Sequence, residues 1–186
     1  KGGNYFMSLK NLTRKNHTNA ERSWFAGLMM SGNISNEQYA LYLKQQYECY
    51  NALENRFNSV KTIECIPKKL KRATAIKEDI EELCEDFNKI PIFRSTEKYV
   101  HYILHQCAEE FLYAHVYVRY LGDLRGGQMI AKRIPGSGKY YKFEDSGDLE
   151  VFIRKNLEEN EPFVNECNKC FESAITLFAD LEKHLK

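Results

Sequence analysis

Three glycines lie within six positions of a segment that otherwise has the periodicity of a single helix, residues 111–132. They are Gly122, Gly126 and Gly127, in the stretch Tyr-Leu-Gly-Asp-Leu-Arg-Gly-Gly-Gln that begins at Tyr120. Each glycine in a helix interior costs about 0.5–1 kcal/mol relative to alanine. A helix that carries three of them around one acid, Asp123, is therefore predicted to bring its backbone close to a large, flat ligand.

The rest of the chain also has helical periodicity, and no segment shows the alternation of a β-strand. A first helix is predicted from about residue 9 to a glycine stop at Gly32, and a second begins at a capping box of Ser35 and Gln38. Further helices are predicted over residues 67–87, 95–107, 149–160 and 162–186. The prediction is one compact all-α domain of seven to nine helices spanning residues 1–186.

Composition narrows the class of function. The 186 residues are 43% hydrophobic and 28% charged, with a net charge of +1. Dedicated nucleic-acid binders usually carry a strong basic excess, so this charge argues against nucleic acid as a partner. No apolar run approaches the roughly 18–20 residues that span a bilayer. Six cysteines, including the close pair Cys167 and Cys170, lack a disulfide-framework pattern and indicate reduced thiols. We therefore expect a soluble protein of the cytoplasm without a membrane anchor. The sequence leaves the oligomeric state open, and a monomer is the default expectation.

The glycine segment resembles the signature of the heme oxygenases, whose common form is Tyr-Leu-Gly-Asp-Leu-Ser-Gly-Gly-Gln. A second segment, His-Thr-Asn-Ala-Glu at residues 17–21, is similar to the family's proximal-histidine segment. Further similarity lies at residues 46–54, 114–119 and 175–178, and it is weaker over 63–110 and 134–148. The resemblance implies the heme oxygenase fold, with heme sandwiched between an N-terminal proximal helix and a glycine-rich distal helix.

The resemblance also implies a reaction, the oxygen-dependent cleavage of heme at the α-meso carbon. The implied products are biliverdin IXα, carbon monoxide and ferrous iron, and heme b is both substrate and cofactor. Dioxygen is the implied co-substrate, reduced ferredoxin the implied electron donor and a bilin reductase an implied downstream partner. A soluble chain of this length is most similar to bacterial, cyanobacterial and cyanophage members, so the expected location is the cytoplasm, that of the host for a viral protein.

Four residues receive roles around the heme plane from the resemblance. His17 is the implied iron ligand, and Glu21, one helical turn later, is expected to influence its imidazole. Gly122 and Gly126 are implied to bring distal backbone against the opposite face of the ring. From the pattern alone, a lone histidine such as His17 is more often structural than a metal ligand.

The distal polar network is implied to centre on Asp123, which would hold a water that assists oxygen activation. Tyr50 and Arg119 are implied to join it as catalytic residues. The pattern alone also allows an ordinary core tyrosine and a surface i,i+4 ion pair of Arg119 with Asp123. Two positions depart from the family: Arg125 stands where serine is usual, and Ala174 stands where an amide is frequent.

Heme propionates are anionic and need basic or hydroxyl partners. The resemblance implies that these are Lys10, Arg14, Tyr117 and Arg154, although a solvated helix rim has the same composition. On the C-terminal helix, Phe171, Ala174 and Phe178 are expected to complete an apolar wall of the heme pocket.

Two other functions remain open from the sequence. A non-catalytic heme carrier or sensor would keep His17, but the intact Asp123 and glycine segment argue against it. A thiamin-degrading enzyme of similar architecture would need a catalytic cysteine in an acid-lined pocket, and the histidine and glycine segments argue against that.

Two further sequence features have both a functional and an ordinary interpretation. The basic run at residues 68–72 suits an acidic ferredoxin, although a solvated helix start is the ordinary interpretation. His101 and His105 have metal-ligand spacing, but a solvated helix face is favoured. His115 matches a histidine of the family's distal segment and is not assigned to iron.

Overall fold

The computed structural model describes residues 5–158 and 160–186, with the backbone alone for residues 5–8. Within those residues every regular element is helical, which confirms the predicted all-α class. The α-helices are α1 (Tyr5–Glu21), α2 (Trp24–Ser31), α3 (Asn36–Ser59), α4 (Ala73–Leu83), α5 (Arg94–His105), α6 (Leu112–His115), α7 (Gly122–Ile130), α8 (Ser146–Lys155) and α9 (Glu161–Leu185). Short 3₁₀ turns lie at Lys68–Leu70, Phe87–Lys89, Glu109–Phe111 and Lys139–Tyr141. None of the helices in this part of the chain has the length and apolar character that crossing a membrane requires.

The predicted helix boundaries at residues 32–38 are confirmed. Gly32 has a φ of 77° and ends α2 in the left-handed conformation that glycine adopts without strain. The Ser35 side chain accepts from the Gln38 amide, and the Gln38 side chain accepts from the Ser35 amide. This reciprocal pair satisfies two N-terminal amides and begins the longest internal helix, α3.

The prediction of one helix from about residue 9 to Ser31 is wrong, because the chain breaks after Glu21. Ser23 caps the new helix α2 by accepting a hydrogen bond from the amide of Ala26 at 3.2 Å. Serine is a favoured N-cap because its side chain competes with the helical backbone for hydrogen bonds. The break places His17 near the C-terminal end of α1.

Helix α3 lies at the centre of the fold, packed against α4 and α5, while α9 packs along α1, α2, α5 and α6. One face of α3 is buried along its whole length, through the side chains of Tyr39, Leu43, Gln46, Tyr50, Leu53 and Phe57. Helix α9 fixes the position of α1, and Asn16 donates to Asn168 at 3.1 Å across that contact.

The segment predicted as a single helix over residues 111–132 runs from α6 to α7 without a break. Between them, Val116–Leu121 forms a π-helical turn that ends immediately before Gly122. π-Helical turns widen the backbone and frequently mark functional sites. Here the π-helical turn directly precedes Gly122 and Asp123, the residues singled out in the sequence.

Candidate active site

A cavity of about 480 Å³ opens between α1, the π-helical turn, α7, α8 and α9. Its volume falls in the range of pockets that hold small-molecule ligands and cofactors. The described residues that line it are Lys10, Thr13, His17, Glu21, Tyr117, Val118, Leu121, Gly122, Arg125, Gly126, Arg154 and Phe171. The two segments singled out in the sequence, residues 17–21 and 120–128, therefore form parts of one cavity.

The wall that α7 contributes has backbone where side chains would normally stand. A β-carbon built on Gly122 or Gly126 would have no described atom within 4 Å beyond the neighbouring helical backbone. Gly127 is different, because a β-carbon there would collide with the ring of Tyr141. Two of the three glycines thus leave the cavity open, and the third admits a neighbouring ring.

His17 lies on the α1 side of this cavity. More than half of its side-chain surface is exposed, and its ring centroid lies 5.8 Å from that of Phe171. The Glu21 carboxylate lies 3.1 Å from Nε2 of His17. An imidazole has two nitrogens, so one can bind a metal while a carboxylate orients the ring through the other.

Basic side chains gather at one rim of the cavity. Arg125 forms an ion pair with Glu150 of α8, and Nη2 of Arg154 lies 3.6 Å from the same carboxylate. The hydrogen bond from Arg125 is the main cause that lowers the pKa of Glu150. Lys10 lines the cavity from α1. The arginine that departs from the family pattern therefore adds positive charge to this rim.

Asp123 faces away from the rim, towards α3 and the turn at Lys139–Tyr141. Its Oδ2 atom accepts hydrogen bonds from Tyr50, on α3, and from Tyr140 at 2.7 Å. Burial raises the pKa of Asp123 to about 6, and these two hydroxyl groups act against that rise. The predicted association of Tyr50 with Asp123 is present in the structure. Tyr140 was not identified in the sequence, since it lies outside the predicted helices and in no recognised motif.

Arg119 is buried, so it does not form the surface ion pair that the pattern alone allowed. Its Nε donates to the hydroxyl of Tyr99 at 2.9 Å, and its guanidinium lies 4.2 Å from the centroid of the Tyr99 ring. No hydrogen bond joins Arg119 to Asp123 among the described residues, but its charge lowers the pKa of that carboxyl. Arg119 therefore acts on Asp123 through its charge.

A sequence model of the heme oxygenase family matches residues 4–180, which is most of the chain. The chain belongs to the heme oxygenase family.

Individual relatives agree with this assignment. Heme oxygenase 2 from Oryctolagus cuniculus is 30% identical over 204 residues, which cover 94% of this chain and 65% of the rabbit protein. Heme oxygenase 1 from Rattus norvegicus is 34% identical over 204 residues, which cover 94% of this chain and 70% of the rat protein. The chain thus spans about 65% of the length of its rabbit relative.

Solved structures confirm the fold. Heme oxygenase-1 from the cyanobacterium Synechocystis, determined in complex with heme, matches with a TM-score of 0.85 at 24% identity, over 98% of this chain and 94% of that one. Heme oxygenase from Leptospira interrogans matches with a TM-score of 0.81 at 27% identity, over 92% and 97% of the two chains. The predicted heme oxygenase-like arrangement of helices is therefore correct.

Not all residues that the family resemblance implicated line the cavity. Arg14 is exposed, donates to Asn11 of its own helix at 3.0 Å and does not line the cavity. Tyr117 does line it, and burial raises the pKa of its hydroxyl. Of the three C-terminal residues expected to form the apolar wall, only Phe171 lines the cavity. Phe178 instead stacks on Phe25 at 5.8 Å.

The basic run at residues 68–72 is only partly available to a partner. Arg72 is buried, and its guanidinium donates to backbone carbonyls, including those of Tyr140 and Lys142 at 3.0 and 2.9 Å. Lys69 forms an ion pair with Asp145 at 2.5 Å. The guanidinium of Arg72 therefore holds the Tyr140 loop in place.

His115 is fully buried. Its Nε2 lies 2.8 Å from the Glu166 carboxylate and its Nδ1 lies 2.7 Å from the Tyr99 hydroxyl. Burial alone would raise the pKa of Glu166, but hydrogen bonds from His115 and Tyr102 hold it below its usual value.

His101 and His105, by contrast, are exposed on α5. Cys167 and Cys170 are buried free thiols, as expected.

Proposed function

We propose that this protein is a catalytically active heme oxygenase. It binds heme in the cavity between α1 and α7 and opens the macrocycle at the α-meso carbon with dioxygen and reducing electrons. The products are biliverdin IXα, carbon monoxide and ferrous iron. One observation carries the proposal: an imidazole lies on one side of the cavity, and glycine backbone next to a half-buried carboxylate lies on the other.

The residues of the cavity fit a heme. The space that side chains at Gly122 and Gly126 would occupy is open, so a flat ring can approach the backbone of α7. His17 offers an imidazole nitrogen, and histidine is a common protein ligand of heme iron. Glu21 stands next to it to orient the imidazole. Bound heme supplies the iron that activates dioxygen and is itself the molecule that is oxidised.

Asp123 is proposed to act from the side of α7 that faces α3, next to Gly122. Among the described residues it forms no ion pair. Its carboxylate, held by Tyr50, is suited to order a water molecule in the distal pocket by hydrogen bonding. Arg119 supports the ionised form of Asp123 through its positive charge. Tyr50 and Arg119 thus both favour a negatively charged acceptor at Asp123 beside the proposed heme face.

The heme propionates are proposed to lie at the basic rim. Lys10, Arg125 and Arg154 line the cavity there and Tyr117 adds a hydroxyl, whereas Arg14 projects from the exposed side of α1. Guanidinium groups suit carboxylates because their parallel N–H donors match both oxygens. This rim would fix the rotation of the macrocycle and, with it, the meso carbon that is attacked.

The electron donor is proposed to be a reduced ferredoxin, docking near the same basic rim. The run at residues 68–72 is a weaker candidate, because Arg72 is buried and Lys69 is ion-paired. We further propose that the protein acts as a soluble monomer in the cytoplasm and that a bilin reductase consumes the product.

The thiamin-degrading alternative finds no support, since none of the described residues that line the cavity is a cysteine.

The proposal is tested by mixing the purified protein with hemin, recording the Soret band, and then adding ascorbate or reduced ferredoxin in air. We expect a sharp Soret band that decays while the spectrum of biliverdin appears. Asp123→Ala is expected to bind hemin and to lose bilin formation. Stable hemin binding without any bilin, with either reductant, would identify a carrier and contradict the proposed activity.

A further inference from the structure

We propose that Tyr140 is a positioning residue that holds Asp123 in its ionised form and in one orientation. The inference rests on the proposed function for its catalytic meaning, but the coupling between the two residues is a property of the protein alone. It adds a second hydroxyl donor to the network of Tyr50 and Asp123.

The direction of the Tyr140 hydrogen bond is fixed by its second partner. Gln46 of α3 donates from Nε2 to the Tyr140 hydroxyl oxygen at 3.0 Å. Since that oxygen already accepts a hydrogen, the hydroxyl hydrogen is left to point towards Asp123 Oδ2, 2.7 Å away. Tyr140 is fully buried, so water does not compete for this bond. Within the described part of the chain, both hydrogen bonds to Asp123 fall on Oδ2, which leaves Oδ1 as the oxygen for a further partner.

The backbone of Tyr140 is held from two sides. Its amide donates to Oδ2 of Asp79 on α4 at 2.9 Å, and its carbonyl accepts from the Arg72 guanidinium at 3.0 Å. The amide of Lys139 donates to the other oxygen of Asp79 at 3.0 Å. These long-range bonds anchor the short turn at Lys139–Tyr141, so the hydroxyl reaches Asp123 from a backbone that is held in place.

The ring of Tyr140 is also fixed by its neighbours. It stacks on Tyr141 with centroids 4.2 Å apart and planes 13° apart, and it meets Tyr50 edge to face at 5.7 Å. The Tyr141 ring in turn fills the space above Gly127, and Gln128 donates to the Tyr141 carbonyl at 3.0 Å. The glycine helix and the loop therefore lock together, with Tyr140 between Tyr141 and Asp123.

The electrostatic setting explains why a second donor matters. Four groups favour the ionised form of Asp123 against burial: Tyr50 of α3, Tyr140, Arg119 of the π-helical turn and Arg72 before α4. The titratable hydroxyls of Tyr39, Tyr42, Tyr120 and Tyr141 also face its charge. A hydrogen bond to a charged group is stronger than one between neutral groups, so loss of one hydroxyl should tighten proton binding by Asp123 about tenfold or more.

The test compares Tyr140→Phe with Tyr141→Phe, two isosteric changes at adjacent, stacked and fully buried rings. No hydrogen bond joins the Tyr141 hydroxyl to Asp123 among the described residues, so Tyr141→Phe is the matched control. The titration of Asp123 is followed in the heme-free protein by NMR of ¹³C-labelled aspartate carboxyls, with Asp123→Asn used to assign the signal. Gln46→Met serves as a second variant, because it removes the donor that orients the Tyr140 hydroxyl.

We expect Tyr140→Phe to raise the proton affinity of Asp123 by roughly tenfold, Gln46→Met to raise it less, and Tyr141→Phe to leave it near the wild-type value. The acid limb of bilin formation should move to higher pH by the same amount in Tyr140→Phe. A titration of Asp123 in Tyr140→Phe that matches the Tyr141→Phe control would overturn the proposal. A wild-type protein that binds hemin without degrading it, while Tyr140→Phe still changes the titration, would overturn the proposed function and leave the coupling standing.

Discussion

The ring of Tyr141 occupies the space that a side chain at Gly127 would need: a β-carbon built there would lie 2.9 Å from Cε1 and closer still to Cδ1. Gly122 and Gly126, on the same helix, face the cavity and meet no described side chain. One sequence feature, three clustered glycines, therefore serves two separate physical purposes. Gly127 allows the helix to pack on a loop, and the other two keep a binding surface open.

This division predicts opposite effects of alanine within one helix. Gly122→Ala and Gly126→Ala should raise the free energy of unfolding of the heme-free protein by up to about 0.5–1 kcal/mol, because alanine favours the helix. The same variants should bind hemin roughly tenfold or more weakly, because the added methyl groups enter the cavity.

Gly127→Ala provides the comparison. Overpacking against Tyr141 should lower the free energy of unfolding by about 1–3 kcal/mol, while the folded protein keeps its hemin affinity. Urea unfolding and hemin titration measure the two quantities separately. Equal effects of all three variants on both measurements would show that the glycines do not have distinct functions.

The raised pKa of Asp123 predicts a pH dependence of stability. Its folded-state pKa is about 6, and aspartate in an unfolded chain titrates near 3.9. Protonation therefore favours the folded state, so this contribution is fully present below about pH 4 and is lost as pH rises through about 6. Across that window the wild type should lose about 1–3 kcal/mol of its free energy of unfolding through Asp123. Asp123→Asn should not show this loss, because asparagine does not titrate.

The measurement is urea unfolding of wild type and Asp123→Asn at a series of pH values from 4 to 7.5. The other carboxyl groups are common to both proteins, so their contributions cancel in the difference. The difference in free energy of unfolding should grow in favour of the variant as pH rises. A difference that stays constant with pH would mean that Asp123 titrates normally.

Arg125 is expected to strengthen heme binding through its charge. Arg125→Ser should weaken hemin affinity about two- to fivefold at low salt, which is the magnitude of an exposed charge interaction. Added salt should reduce the difference, because exposed charges are screened. Arg133→Ser is the control, since Arg133 is exposed, donates to the carbonyl of Met129 and does not line the cavity.

Equal losses of affinity in Arg125→Ser and Arg133→Ser would indicate a general effect of net charge. No loss in either variant would mean that Arg125 is bound to Glu150 too firmly to serve a ligand. Both results would remove Arg125 from the proposed propionate site.

His17→Ala should separate ligation from folding. The side chain is more than half exposed, so the free energy of unfolding should change by no more than about 0.5 kcal/mol. Bound hemin should lose the absorption spectrum of an imidazole complex, and added free imidazole should restore it. His101→Ala, an exposed histidine on α5, should behave as wild type. A wild-type spectrum in His17→Ala without imidazole would exclude His17 as the ligand.

The sequence predicted those helix boundaries that depend on contacts between residues close together in the chain. The Ser35 and Gln38 capping box and the stop at Gly32 could be located because each depends on residues within one helical turn. The break at Ser23 was missed although serine is a good cap, since the apolar periodicity continues through it to residue 28. A periodic pattern alone does not distinguish one helix from two that share a buried face.

The site could be predicted where family motifs carry it and not where distant residues complete it. The cavity-lining positions of His17, Gly122 and Gly126 agree with the motif-based prediction. Tyr140 reaches Asp123 from a loop that is held by Asp79 and Arg72, far away in sequence. Nothing local in the sequence marks such a contact. Arg14 shows the reverse case: the resemblance implied that it binds a propionate, whereas its exposed side chain donates to Asn11 of its own helix.

The central claim is that heme lies between the imidazole of His17 and the backbone of Gly122 and Gly126. A crystal structure of the protein loaded with hemin tests it most directly. We predict iron coordinated by a nitrogen of His17, with one ring face against the two glycines and the propionates at Arg125 and Arg154. A heme ligated by another residue, or bound outside the cavity between α1 and α7, would contradict the account.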